Sequence, residues 1–105
     1  MNLVKEIYTL IDLLPKEERY GIGDQMRRAA VSIPSNIAEG YDRNTTAEYI
    51  HYLTISRGSK SEIETQIYIC IMLNYLSKED AQTALQLCKD IGKMLNVLIN
   101  KQKLK

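Results

Sequence analysis

Apolar residues recur at helical spacing in four long stretches of this chain, and no stretch alternates with the period of two that a strand needs. The first stretch puts Leu3, Ile7, Leu10, Ile11 and Leu14 on one side of a helix from about Asn2 to Leu14, ended by Pro15. Lys16 to Tyr20 reads as a polar connector, and Gly21 and Gly23 permit a sharp entry into a second helix. There Ile22, Met26, Ile33 and Ile37 form the core-facing line, and Gly40 is placed to cap the helix end. Thr45-Thr46-Ala47-Glu48 has the form of a capping box and opens a third helix that runs to about Tyr75, roughly 45 Å. Ser77-Lys78-Glu79-Asp80 has the same form with Asp in place of Glu. The fourth helix then runs to about Gln102, with Ala84, Cys88, Ile91, Leu95 and Leu98 as its inner line. Short connections between long helices make neighbours antiparallel. The expected fold is all-α, an antiparallel up-down-up-down four-helix bundle forming a single domain over residues 1–105.

The second helix carries more polar patterning than a plain bundle helix needs. Arg28, Ser32, Ser35 and Glu39 fall within an arc of roughly 60°, opposite the apolar line. Val31 and Ala38 form a smaller apolar strip on a third flank. Two readings follow: a packed helix with a solvated stripe, or a helix wedged between its own core and another subunit. Pro34 lies inside the helix, where it removes a backbone donor and crowds the carbonyl four residues back. Ser32 and Ser35 are placed to help satisfy the freed groups.

The third helix is unusual at its middle, where Ser56, Gly58, Ser59 and Ser61 stand in place of large apolar side chains. A helical glycine costs about 1 kcal/mol relative to alanine, so this waist is expected to mark a tight helix crossing rather than a cavity. With a hairpin turning near residue 43, Arg28 and Arg57 come level with one another. Two guanidinium groups that close require carboxylates or an anion between them. Asp24 precedes Arg28 by four residues, Glu64 follows Arg57 by two turns, and Glu39 and Glu62 are further choices. An internal or intersubunit polar network of Arg28, Ser32, Asn36, Glu39, Arg57 and Glu64 is favoured over a phosphate site.

Charge and composition narrow the function classes. Fourteen basic and thirteen acidic side chains leave a net charge of +1, well short of the basic excess of a dedicated nucleic-acid binder. The local excess is the tail, Lys101, Lys103 and Lys105, which also suits a helix C-terminus. An RNA-binding reading would use Arg27, Arg28, Arg43 and that tail against phosphates, with Tyr41 or Tyr49 for stacking. The single histidine, His51, has no partners at metal-ligand or triad spacing. Cys70 and Cys88 fall on apolar helical positions and read as buried, reduced thiols. Gly21-Ile22-Gly23 is too short for a phosphate loop, and Glu17-Glu18 and Glu79-Asp80 belong to connectors or first helical turns. No catalytic residue, metal, cofactor or small-molecule substrate is expected. The longest apolar run, Ile67 to Leu73, is far too short to span a bilayer, and the start has no signal-peptide pattern. The chain is expected to be cytoplasmic, which makes the Asn44-Thr45-Thr46 glycosylation match a coincidence.

Ser32-Ile33-Pro34-Ser35-Asn36-Ile37-Ala38-Glu39-Gly40 is a specific string, and it resembles the four helix bundle proteins of the 23S rRNA intervening-sequence protein family. The resemblance extends to Tyr20-Gly21, the run from Gln25 to Gly40, Arg43, Arg57-Gly58-Ser59 with Glu62 and Glu64, and Asn74-Tyr75-Leu76. Members of that family usually carry about another helical turn or two before the segment that here begins at Met1, often with a tryptophan; this chain has none. The resemblance implies a ring-shaped homo-oligomer, commonly a pentamer, and leaves rRNA or ribosome association possible through the family's origin in rRNA genes. Accessory proteins of diversity-generating retroelements, which work beside a reverse transcriptase, resemble it less at this string and are more basic. A homo-oligomeric scaffold is the preferred reading, with RNA association as the alternative.

Overall fold

Five helical segments build the molecule: α1 Asn2–Leu13, α2 Lys16–Arg19, α3 Ile22–Tyr41, α4 Thr46–Met72 and α5 Lys78–Lys103. They are those of a computed structural model describing residues 1–105. Pro15 ends α1 as its missing donor requires, and then serves as N-cap of α2, a single turn inside the segment expected to be a plain connector. Arg19 holds that turn against α1, donating to the carbonyls of Leu14 (3.2 Å) and Asp12 (2.8 Å). α3 runs through Pro34 as one helix. α4 opens on Thr45, whose hydroxyl accepts from the Glu48 amide, and α5 opens on the full Ser77–Asp80 capping box.

α4 ends at Met72, three residues before the expected Tyr75. Asn74 adopts a left-handed backbone, φ 62°. The Tyr75 amide then reaches back to the Cys70 carbonyl (2.8 Å) and the Asn74 amide to Ile71 (3.0 Å). That is a Schellman ending, with asparagine in the role glycine usually fills.

The four long helices close a square in which α3 touches α4, α4 touches α5, and α1 touches both α3 and α5. Neighbours run antiparallel: Ser32 of α3 meets Ser59 of α4, while Gly40, further along α3, meets Tyr52, earlier along α4. The lower core gathers Leu3, Ile7 and Leu10 of α1, Met26 and Ile33 of α3, Ile63, Ile67 and Cys70 of α4, and Ala84 and Cys88 of α5. Each large apolar side chain buried this way contributes about 1.5–3 kcal/mol.

α1 is shorter than its partners. Its 12 residues rise about 18 Å, against about 39 Å for the 26 of α5. Met1 and Val4 lie beside Val31 and Pro34, and Asn2 and Lys5 lie beside Leu87. Above that level the molecule is a three-helix stack with its own core of Leu53, Leu95 and Ile99. The body measures 46 × 22 × 19 Å. No helix is long and apolar enough to cross a membrane.

Candidate functional site

Of the polar stripe of α3, Ser32 turns toward α4 and is joined there by Asn36, while Arg28, Ser35 and Glu39 stay exposed. Ser32 and Ser59 hydroxyls bond at 2.9 Å, and Asn36 Nδ2 donates to both the carbonyl and the hydroxyl of Ser32 (2.8 Å each). Fully buried Ser56 donates to the Ile33 carbonyl (3.0 Å). Small polar residues thus let two helices approach closely while every hydroxyl in the seam keeps a partner. Ser32 spends its hydroxyl on this seam rather than on the backbone freed by Pro34, and Ser35 is exposed. Gly40 belongs to the same close approach. It lies inside α3 rather than capping it, and a Cβ there would stand 2.6 Å from the Tyr52 Cβ and 3.1 Å from the Tyr49 ring.

The hairpin register differs from a simple count around residue 43. Equidistance would set Gly40 opposite residue 46, yet it meets Tyr49 and Tyr52. Extended Thr45 carries the chain onward before α4 begins. Arg57 is therefore level with the Ile33 turn, and Arg28 lies more than one turn further along, near Glu62. The two arginines are not neighbours. Arg57 donates to Asn96 Oδ1 of α5 (3.0 Å), and exposed Arg28 has no carboxylate within ion-pair distance.

The carboxylates pair locally. Asp24 holds Arg27 rather than Arg28, Glu39 holds Arg43, and Glu64 holds Lys60 (2.9 Å) rather than Arg57. Each is an i,i+3 or i,i+4 pair, of which exposed examples contribute about 0.2–0.5 kcal/mol. The six residues expected to form one network are thus divided: Ser32 and Asn36 in the α3–α4 seam, Glu39 at the hairpin end, Arg57 and Glu64 toward α5, and Arg28 alone.

Lys60, at the small-residue waist of α4, has a structural task. Its methylenes cross Gly92 of α5, where a Cβ would stand 3.2 Å from Lys60 Cε. Beside it the Cys88 thiol is pushed up to about 12, first by burial and then by the Glu64 carboxylate, with Lys60 opposing. Burial and then Glu18 likewise raise Cys70. Both cysteines are free and buried, as expected, and in the protonated state they are poor nucleophiles. Gln66 was not foreseen: it is 5% exposed, its amide donates to Glu62 Oε2 (3.0 Å), and its carbonyl oxygen has no partner. Its apolar surroundings on α4 gave no signal that could have singled it out. No three His, Cys, Asp or Glu side chains converge in metal-binding geometry.

The candidate phosphate contacts divide between two ends. Arg27 lies toward the start of α3, bound to Asp24 and 5.5 Å above the Tyr8 ring. Arg43 lies at the hairpin end, bonded to Glu39 and to Tyr52 Oη (2.8 Å), its guanidinium 5.0 Å from that ring. Tyr52 and Glu39 raise its pKa. Gln102 of α5 lines the same small hollow as Arg43, Tyr41 and Tyr49, which brings the Lys101, Lys103 and Lys105 tail to that end. Tyr41 is 75% exposed and meets Tyr49 edge-on at 6.1 Å. His51 is exposed on α4, edge-on to Tyr52.

The outward side of the hairpin presents Gly58 in an unexpected setting. It was expected at a tight crossing, but nothing lies within 4 Å of a Cβ placed there. The crossing is made by Ser56 and Ser59 instead. Around Gly58 the surface carries Ile55, with Ser35 level with it on α3 and unpaired Arg28 near exposed Glu62 at one end. Val31 and Ala38, the third flank of α3, are also uncovered.

Comparison with known proteins places this arrangement. Among solved structures, the fold matches a crystal structure of a protein with unknown function from the S23 ribosomal protein family of Bacteroides thetaiotaomicron. The TM-score is 0.85 at 23% identity, covering 93% of this chain and 92% of that one. No curated protein matches. The model of the 23S rRNA-intervening sequence protein family matches residues 1–97, spanning the polar α3–α4 seam, Gly58 and most of α5. The chain belongs to the 23S rRNA-intervening sequence protein family.

Proposed function

We propose that this protein is a non-enzymatic homo-oligomeric scaffold or interaction module whose subunits meet across the outward side of the α3–α4 hairpin. Gly58 carries the reading. A glycine in mid-helix costs about 1 kcal/mol and here serves no contact within its own chain, so the close approach it permits is to something outside. Exposed Ile55 beside it supplies apolar area, and Arg28 with Glu62 supplies charges unspent on other ion pairs. The ring-shaped assembly, commonly of five subunits, that the family resemblance implies would use such a face.

RNA association is a second reading, favoured by one arrangement: Arg43, exposed Tyr41 and the basic tail share the hairpin end. Glu39 already neutralises Arg43, and Arg27 stands apart with Asp24, so the surface is weaker than a dedicated phosphate groove. Light scattering at low and high salt, with and without a structured rRNA fragment, separates the two. A stable oligomer indifferent to RNA supports the scaffold. A salt-sensitive mass increase with RNA that Arg43→Glu removes replaces it with the RNA module.

A further inference from the structure

α4 and α5 are joined unevenly along the groove between them, a groove to which α1 contributes no residue. In its upper half Arg57 bonds Asn96 (3.0 Å) and the Lys60 side chain lies across Gly92, closing the seam. From there to the turn between the two helices, no side-chain bond passes from one to the other. The groove opens there into a hollow of about 430 Å³ with Tyr68, Ile71 and Leu85 as its apolar floor. Tyr68 is 56% exposed, and Met72, one turn further along α4, extends the apolar strip at 71% exposure. On α5, Lys78, Gln82, Leu85 and Lys89 follow at steps of four, three and four, within an arc of roughly 60°. The two lysines thus stand at opposite ends of the strip, about 16 Å apart along the helix. Neither has a carboxylate in ion-pair range. Lys78 lies in the first turn of α5, where the helix dipole disfavours a positive charge. Glu79 on the same wall is already matched to that helix start, so the hollow keeps an excess of positive charge.

We infer that this groove receives an amphipathic helix of a partner protein, apolar along one face and carrying a carboxylate at each end of it. A helix laid between two antiparallel helices packs its side-chain ridge into their groove. About three turns span the distance from Lys78 to Lys89, so acids about eleven residues apart on one face meet both lysines. The apolar residues between those acids cover Tyr68, Ile71 and Leu85, and the unbranched thioether of Met72 adapts to their shape. The groove lies within one chain, so this contact does not depend on the subunit contact at Gly58. It gives the proposed scaffold a partner of defined chemistry.

The probe is a designed helical peptide, leucine-lined on one face with a glutamate at each end of that face, followed by fluorescence anisotropy. It should bind the natural chain at low salt, and its counterpart with lysines in place of both glutamates should not. Lys78→Glu and Lys89→Glu should each weaken binding about tenfold. Both positions are exposed, so circular dichroism should be unchanged. Tyr68→Ala, also at an exposed position, should weaken binding with helicity retained. Gly58→Gln should bind the peptide as the natural chain does, which separates failure of this inference from failure of the subunit contact. No binding of the acidic peptide, equal binding of the basic one, or an affinity unmoved by either lysine reversal would overturn the inference. A solution mass that falls in K78E/K89E would also overturn it, by placing a second copy of the chain in the groove.

Discussion

Gly40 and Gly58 are both helical glycines, and the surroundings of each give it a different meaning. At Gly40 the space for a Cβ is already taken by Tyr52. Gly40→Ala should therefore destabilise the fold by about 1–3 kcal/mol, read as a lower guanidinium midpoint with unchanged slope. Sequence alone suggested the helix end, because a glycine five residues before a capping box is equally suited to a C-cap. What decided the matter was contact with another helix, which no local pattern encodes. Cys88 makes a second residue-scale prediction. Its thiol is held protonated in the fold up to about 12, against 9.0 as its ordinary value. The unfolded chain loses that proton first as pH rises, so the stabilisation is complete below about 9 and is lost on rising toward 12. Cys88→Ala should flatten that alkaline decline in thermal melts, whatever its effect at neutral pH.

Helix starts were legible at the scale of the element, because N-capping is local chemistry. Ser77 and Asp80 satisfy two backbone donors reciprocally, and Ser77→Ala should cost about 1 kcal/mol. Asn74 holds a positive φ, so Asn74→Ala should cost about 1 kcal/mol, whereas Asn74→Gly should match or exceed the natural chain. Both are measured by thermal denaturation at one fixed protein concentration, since association shifts the midpoint. The apolar lines of α1, α3 and α5 were legible for the same reason: Leu3, Ile7, Met26, Ile33, Cys88 and Leu95 are all buried where periodicity set them. The register between α3 and α4 was not. It depends on one extended residue, Thr45, and on the room Gly40 leaves, and a shift of one turn was enough to separate Arg28 from Arg57. The polar seam itself survived the shift, since Ser32, Asn36 and Ser59 satisfy one another and Ser56 donates to the Ile33 carbonyl, all over short distances.

The four long helices form a rod 46 Å long, and exposed apolar residues lie on several of its sides. Val31, Ala38, Ile55 and Gly58 lie on the hairpin side, and Met94, Val97 and Leu104 on the outer flank of α5. Single exposed apolar residues need no explanation, but a helical glycine facing open space beside Ile55 does. The most direct measurement is the solution mass of the natural chain and of Gly58→Gln, with circular dichroism as the control for folding. Glutamine is a better helix former than glycine and meets no atom of its own chain at this position, so the fold should be kept or slightly strengthened. A reduced mass with full helicity is the result predicted for a subunit contact through the α3–α4 hairpin. An identical mass for the two proteins would contradict it.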